Sequence, residues 1–361
     1  LHSTSRRQRQ MCIRDRKIAF ILPSLINKGP IVVVNNVVKY LKSYVEQIDV
    51  YYFDATPAMD FDCPVYKIRM NQAIDFDKYD IIHSHCLRPD KYVIKWRKKI
   101  KNAKIITTLH QDTFRSFQYQ YNIALAYLFT RYWCHLQSKF DGVISISNQL
   151  KDGYQSYIHS KLTTIYNGCI INEDSNLDAS IISKQMEAKE KYKLLGTYAF
   201  VTRRKGLEQI LKALIELPDY AFMIIGDGPD IARLLLLSRQ TGISDRVYFI
   251  PYQKKPYNYL ANIDVYVMPS YSEGFGLSMV EAALAKKSIV CSELPSFHEI
   301  FNNDEACFFE LDNIDSLKRS IILAYENKLE LGERAYNKAS DMFTAQRMAE
   351  SHLKYYQNLF V

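Results

Sequence analysis

PSYSEGFGLSMVE, residues 269–281, follows a short apolar run that ends at Met268. The run reads as a buried strand. The segment Glu273-Gly274-Phe275-Gly276 then reads as a tight loop, because two glycines permit positive φ and close backbone approach. A helix is expected to begin near Leu277. Free amides at a helix start favour an anion, above all a phosphate. Glu281 falls about one turn into that helix, on the side of its mouth. Two carboxylates around an anion site suit recognition of hydroxyl groups. A plain strand–loop–helix junction with surface acids is the other reading, but it leaves the coincidence of loop, glycines and both acids unexplained.

The same alternation extends in both directions. Strand-like runs fall at residues 17–22 (KIAFIL), 49–53, 80–83, 104–108 and 142–145. A loop and a helical pattern are expected after each, such as Ile31, Val34, Val38 and Leu41 after the first. A polar stretch, residues 172–193, interrupts the pattern and reads as a linker with a surface helix. Strands are then expected at 198–202, 221–225, 247–250, 265–268 and 288–291, and helices at 206–217, 231–239 and 277–286. This is an α/β chain with two doubly wound parallel sheets in series. The expected division is a first domain at 17–171, the linker, a second domain at 194–340, and a C-terminal helix at 341–361 that packs back on the first domain. Ligands in such sheets sit at the carboxyl ends of the strands.

Composition excludes several classes. The chain has 361 residues, 48% apolar and 24% charged, enough for two cores and too apolar for a disordered protein. Its net charge is +8, and residues 1–16 carry five Arg and one Asp, half of that excess. This leader has no apolar segment of a secretory signal and reads as a non-native extension. A basic nucleic-acid-binding arm is the rival reading of it; the rest is only mildly basic, so no nucleic acid is expected as partner. Seven scattered cysteines without a CxxC argue for reduced thiols in a cytoplasmic protein. No apolar run approaches the ~20 residues that span a bilayer.

Glu273 and Glu281, eight positions apart, resemble the E-x7-E motif of the retaining family 4 glycosyltransferases (glycosyl transferases group 1) of bacterial cell-surface polysaccharide type. The resemblance covers residues 17–361 and implies the GT-B fold, with two Rossmann-like domains facing each other across a cleft. It implies that Glu273 faces the donor sugar and Glu281 the ribose. Backbone amides of Phe275, Gly276 and Leu277 would then meet sugar hydroxyls and the diphosphate. Lys205-Gly206 matches a family Lys-Gly. The Gly-Arg pair usual before it is replaced by Ala199-Phe200, and Arg203 or Arg204 is expected to supply the missing cation. Gly226 and Gly228, in GDGP, resemble the family's G-x-G-P segment on the nucleotide side; alone, GDGP is usually a turn. Tyr252 is a candidate for the base, though an aromatic there can equally be packing. Gly29, in Asn27-Lys28-Gly29-Pro30, matches a loop that approaches the donor phosphates, although Pro30 removes a backbone donor. His110 matches the family's His beside the donor sugar.

His83 and His85, in HSHCLRPD, have no sharp role. As a metal pair they lack evident third and fourth ligands, and the resemblance implies neither metal nor cofactor. Residues 91–104 interleave cations with Tyr92, Ile94 and Trp96, and residues 117–133 are rich in aromatics, which suits core packing beneath a solvated basic face or contact with a membrane surface. The implied activity is retaining transfer of a hexose or N-acetylhexosamine from a nucleotide diphosphate sugar, with UDP the commonest base, to a glycan or lipid-linked acceptor. The setting is cytoplasmic, at the inner face of the cytoplasmic membrane. The missing Gly-Arg pair leaves a second expectation, a non-catalytic sugar-nucleotide-binding subunit of a glycosyltransferase complex.

Overall fold

The computed structural model describes residues 14–54, 59–118, 121–170 and 177–360. The chain forms two compact units, one of residues 1–169 and 343–361, the other of residues 170–342.

The first unit holds a seven-stranded, wholly parallel sheet. Its strands are β1 (Lys17–Ser24), β2 (Gln47–Asp54), β3 (Val65–Lys67), β4 (Ile81–His85), β5 (Lys104–Leu109), β6 (Gly142–Ser145) and β7 (Leu162–Thr164), in the order β3-β2-β1-β4-β5-β6-β7. Helices α1 (Gly29–Leu41), α2 (Leu87–Trp96), α3 (Thr113–Gln118), α4 (Ile123–Gln137) and α5 (Asn148–Tyr154) connect them. The central strands are buried along their length, as a sheet covered on both faces requires.

The second unit opens with α6 (Ala179–Lys191) and holds a six-stranded parallel sheet. Its strands are β8 (Lys193–Tyr198), β9 (Tyr220–Ile225), β10 (Val247–Ile250), β11 (Val265–Met268), β12 (Ser288–Ser292) and β13 (Cys307–Phe309), in the order β10-β9-β8-β11-β12-β13. Helices α7 (Glu208–Ile215), α8 (Ile231–Gln240), α9 (Leu277–Leu284), α10 (Pro295–His298), α11 (Ile314–Glu326) and α12 (Lys328–Met342) complete it. The chain then returns to the first unit with α13 (Ala345–Asn358). Ala345, Met348, Ala349, His352 and Tyr356 form its buried stripe at helical spacing. Cys169 N donates to Phe343 O (2.9 Å) and Ala345 N to Cys169 O (2.9 Å), which ties the returning chain to its own first unit.

Strand order reverses direction between β1 and β4 in the first sheet and between β8 and β11 in the second. These are the two topological switch points, where open α/β sheets leave a crevice for ligands at the strand ends.

Four expectations need correction. The strand expected at 198–202 lies earlier, at Lys193–Tyr198. The apolar run of residues 198–202 misled: Ala199 N and Val201 N do bond to Ile225 O (3.1 Å) and Asp227 O (2.9 Å), but as a loop leaving the sheet. The second strand of the first unit is not followed by a helix: the described residues lead directly to the edge strand β3. The surface helix expected within 172–193 is present as α6, but it is part of the second unit rather than of a linker, since Gln185 Nε2 donates to Tyr259 O (2.8 Å) and Lys189 pairs with Asp264 (3.3 Å). Arg16, assigned to the leader, belongs to the first unit: it pairs with Asp80 (2.5 Å) and lies 4.1 Å over the Phe360 ring. Residues 1–13 of that leader lie outside the described residues.

Candidate active site

At the switch point of the second unit, β8 ends at Tyr198 and β11 at Met268. Beyond β8 the chain makes a short 3-10 turn, Arg203–Lys205, closed by Gly206 at φ 63. A Cβ at Gly206 would lie 2.1 Å from Pro269 O, so only glycine lets this turn lie against the end of β11. Gln209, buried at the start of α7, fastens the same point by donating from Nε2 to Pro269 O (2.9 Å). Tyr271 N donates to Arg204 O (2.8 Å), and the Arg204 guanidinium reaches Ser272 O.

This docking delivers the cations of the turn to the first glutamate of the motif. Lys205 Nζ donates to Glu273 Oε1 (2.6 Å), Ser270 Oγ donates to the same oxygen (2.9 Å), and Arg204 lies 3.3 Å from Oε2. Burial pushes the Glu273 pKa up, but Lys205 and then Arg204 outweigh it and hold the carboxyl at about 2. Glu273 is therefore a fixed carboxylate at neutral pH. Arg203 is exposed, so of the two arginines it is Arg204 that stands at the site.

Glu281 has the opposite electrostatics. It lies on α9, whose N-cap is Gly276 at φ 116. Burial raises its pKa to about 7, and the one offset is the hydroxyl of Tyr198, which donates to Oε2. No cation pairs with it among the described residues. Two carboxylates eight residues apart are thus placed at one set of strand ends, one firmly ionised and the other near half-ionised at neutral pH. Phe275 is buried, so its side chain packs in the core and only its backbone remains for a ligand.

Gly226 and Gly228 have a packing role. A Cβ at Gly226 (φ 140) would meet Ala199 O at 2.0 Å, and one at Gly228 would meet Val201 O at 2.1 Å. These glycines let the 199–201 loop lie along the end of β9. Tyr252 is half-exposed just beyond β10.

The remaining candidates lie in the first unit. Gly29 is not in the loop after β1 but is the first residue of α1, and it is exposed. His110 follows β5 and meets His85, with His85 Nδ1 2.7 Å from His110 Nε2. His83 is fully buried between Tyr356 Oη (2.8 Å) and Thr108 Oγ1 (2.8 Å). These bonds account for His83 as a residue that joins α13 to the sheet. Among the described residues no group of three or more His, Cys, Asp or Glu is placed to hold a metal ion. Sequence reasoning missed Tyr198, Ser270 and Gln209. The site partners of Tyr198 and Gln209 lie far along the chain and no local motif marks them, while Ser270 lies within the 269–281 motif but was passed over for its acids and glycines.

Comparison with known proteins defines the class. The Glycosyltransferase Family 4 model matches residues 42–173, and the Glycosyl transferases group 1 model matches residues 178–342. The chain is 30% identical over 357 residues to the O-antigen biosynthesis glycosyltransferase WclY of Escherichia coli, covering 95% of this chain and 99% of that protein. Among solved structures, sucrose-phosphate synthase from Thermosynechococcus elongatus superposes with a TM-score of 0.80 at 17% identity, covering 96% of this chain and 99% of that one. HepE of Anabaena, in complex with UDP and glucose, gives a TM-score of 0.78 at 18% identity, covering 94% and 99%. The chain belongs to the glycosyltransferases built from a family 4 and a group 1 domain, the GT-B class of bacterial polysaccharide type.

Proposed function

We propose that this glycosyltransferase is a retaining, metal-independent enzyme. It moves a hexose or N-acetylhexosamine from a UDP-sugar to a glycan or lipid-linked acceptor in cell-surface polysaccharide synthesis. The observation that carries this reading is the cluster of Lys205, Arg204 and Glu273 beside Glu281 at the switch point of the second sheet.

A nucleotide sugar already bears a good leaving group. Lys205 and Arg204 neutralise charge on the departing diphosphate, where preorganised donors contribute most to the rate. Glu273 holds both cations in place before the donor arrives and faces the sugar, whose anomeric carbon gains positive character. The bond from that carbon to the diphosphate oxygen breaks, the bond to the acceptor oxygen forms on the same face, and the acceptor's proton passes to the departing diphosphate. No enzymic nucleophile and no dedicated base is required. By the family resemblance His110 is assigned to the donor sugar, Gly29 to the donor phosphates and Tyr252 to the base. Gly226, Gly228 and the backbone of Phe275, Gly276 and Leu277 shape the nucleotide side. Arg204 beside Glu273 offers a cation that could stand in for the missing Gly-Arg pair, which supports this reading over that of a non-catalytic subunit.

Calorimetric titration of the protein in EDTA with UDP, GDP and ADP tests the reading. UDP binding is expected; binding of none of the three refutes it.

The Glu281 pKa adds a pH dependence. Ribose hydroxyls donate to the carboxylate, so binding draws on the ionised fraction, roughly a tenth at pH 6 and nearly all at pH 8. Affinity for UDP-glucose, whose diphosphate does not titrate in this range, is expected to rise about tenfold from pH 6 to pH 8. A Glu281→Gln variant should give a flat profile; an equal rise in that variant assigns the titration elsewhere.

The acceptor side has a surface suited to a membrane. Helix α4 buries Ala126, Thr130, Trp133 and Cys134 and leaves Ile123 (63%), Tyr127 (52%) and Leu128 (59%) exposed, with Leu125 and Tyr132 beside them. Residues 91–140 carry ten Lys or Arg and one acid, Asp112. Lys91 lies 5.0 Å over the Tyr132 ring, and Arg131 5.1 Å over Tyr157. An apolar face rimmed by cations matches an anionic lipid surface. No helix among the described residues is long and apolar enough to cross a membrane, so contact through α4 would be peripheral. This reading puts the protein's work at the inner face of the cytoplasmic membrane. It is expected to co-sediment with phosphatidylcholine vesicles containing phosphatidylglycerol, less so in high salt. The combined Ile123→Ser, Tyr127→Ser and Leu128→Ser variant should bind at least about tenfold more weakly. Equal binding by the variant, or a salt-stable dimer that the variant dissociates, assigns the face to another role.

A further inference from the structure

The histidines at the carboxyl ends of β4 and β5 form a chain of contacts with one loose end. His85 is 1% exposed, with its ring 4.3 Å from that of His83 and 5.0 Å from that of His110. The next residue, Cys86, has φ 76, an uncommon conformation for a residue with a Cβ, and turns the chain directly into α2. His85 Nδ1 is 2.7 Å from His110 Nε2. The other nitrogen, His85 Nε2, is buried and has no partner among the described residues.

Two neutral imidazoles in contact share one proton in the bond between them. Burial lowers the pKa of His85 well below its ordinary value and that of His110 to about 3, so both rings are neutral at pH 7. Two arrangements remain. If His110 Nε2 donates, His85 carries its own proton on Nε2, leaving a buried N–H without an acceptor. If His85 Nδ1 donates, the loose end is a bare lone pair, and His110 carries its proton on Nδ1. Orphaned buried N–H groups are the rarer and costlier defect.

We infer that His85 is a positioning residue: its Nδ1–H donates to His110 Nε2, so that His110 presents an Nδ1–H donor and no free lone pair. His110 then stabilises an oxygen of the bound sugar by donating to it. It cannot take the acceptor's proton, because its one lone pair is already engaged by His85. This role in transfer rests on the function proposed above; the tautomer does not.

The test is nitrogen NMR of the full chain with selectively 15N-labelled histidine at pH 7.5, without ligand. The His110 signals are assigned by their loss in His110→Gln. The expected spectrum shows His110 protonated at Nδ1. Protonation at Nε2 overturns the inference. In His85→Asn the amide can still donate toward Nε2, and the Nδ1–H form is expected to persist. In His85→Leu that donor is gone, and His110 should shift to the Nε2–H form or a mixture; an unchanged pure Nδ1–H signal overturns the positioning role. If His85→Leu fails to fold, the wild-type and His85→Asn spectra still decide. In turnover with the nucleotide sugar identified by titration, His85→Leu is expected to lose about tenfold in kcat, the size of one hydrogen bond, with donor KM nearly unchanged. His85→Asn should recover most of it. Absence of turnover in the wild type would sink the transferase reading and leave the tautomer result standing.

Discussion

Replacing Glu281 with alanine is expected to weaken UDP binding by roughly ten- to a hundred-fold, the loss of charge-assisted hydrogen bonds of about 1.5–3 kcal/mol. The same substitution should leave folding stability at pH 8 unchanged or slightly higher. Among the described residues the Glu281 carboxyl has Tyr198 as its one side-chain donor, and burial has raised its pKa to about 7. Between the ordinary carboxyl pKa and that value, the folded chain holds a proton that the unfolded chain has released. Stability from this group is therefore present at low pH and lost as pH rises through about 7. Alanine removes the buried charge along with the ligand contact. Titration calorimetry and thermal unfolding on one preparation check both halves. Unchanged UDP affinity, or a large drop in melting temperature with binding intact, would make Glu281 a structural residue.

Asp90→Ala is expected to do the reverse, with a heavy loss of stability in the first unit. Asp90 is wholly buried at the start of α2. Its Oδ1 accepts from Ser84 Oγ (2.6 Å) and Thr107 Oγ1 (2.7 Å), and its Oδ2 from Trp133 Nε1 (2.7 Å). Burial raises its pKa to about 6 even with these donors around it. One carboxylate thus joins β4, β5 and α4 to α2. Alanine strands three donors, and the indole N–H cannot rotate to another acceptor as a hydroxyl can. The cost is about 3 kcal/mol. For a unit of this size that is a fall of roughly 6–12 °C in its thermal transition. Asp90→Asn should be nearly as damaging, because one of the two accepting positions becomes an amide that meets a donor. A shift under about 2 °C in Asp90→Ala would show that the hydroxyls and indole find other partners.

Much of the architecture was legible because parallel strands covered on both faces leave continuous apolar runs. Residues 142–145, 247–250 and 265–268 are strands with the expected bounds. The misreadings share one cause. Residues 198–202 have the composition of a strand, and 193–197 adjoin a charged helix, so local pattern favoured the wrong segment. Pairing of Lys193–Tyr198 with β9 decides it, and pairing is not a local property. Of the candidate site, the pairing of Lys205 with Glu273 and the placement of Glu281 on the following helix agree with the motif spacing. Tyr198 and Gln209 were not legible, since each acts on a partner 60 or more residues away. Asp90 was overlooked because its sequence neighbours, Arg88 and Lys91, make it look like one more charge on a solvated helix.

The return of α13 to the first unit also bears on how the protein is made. Synthesis proceeds from the N-terminus, and domains generally fold as units when their residues emerge. Here the first 169 residues emerge without Tyr356, Met348 and Phe343, on which His83, the Gly168 amide and the Cys169 amide depend. The second unit, being one continuous segment, can complete its sheet while the first still waits. A chain stopped near residue 342 would therefore carry every residue of the second unit and a first unit still lacking its last helix.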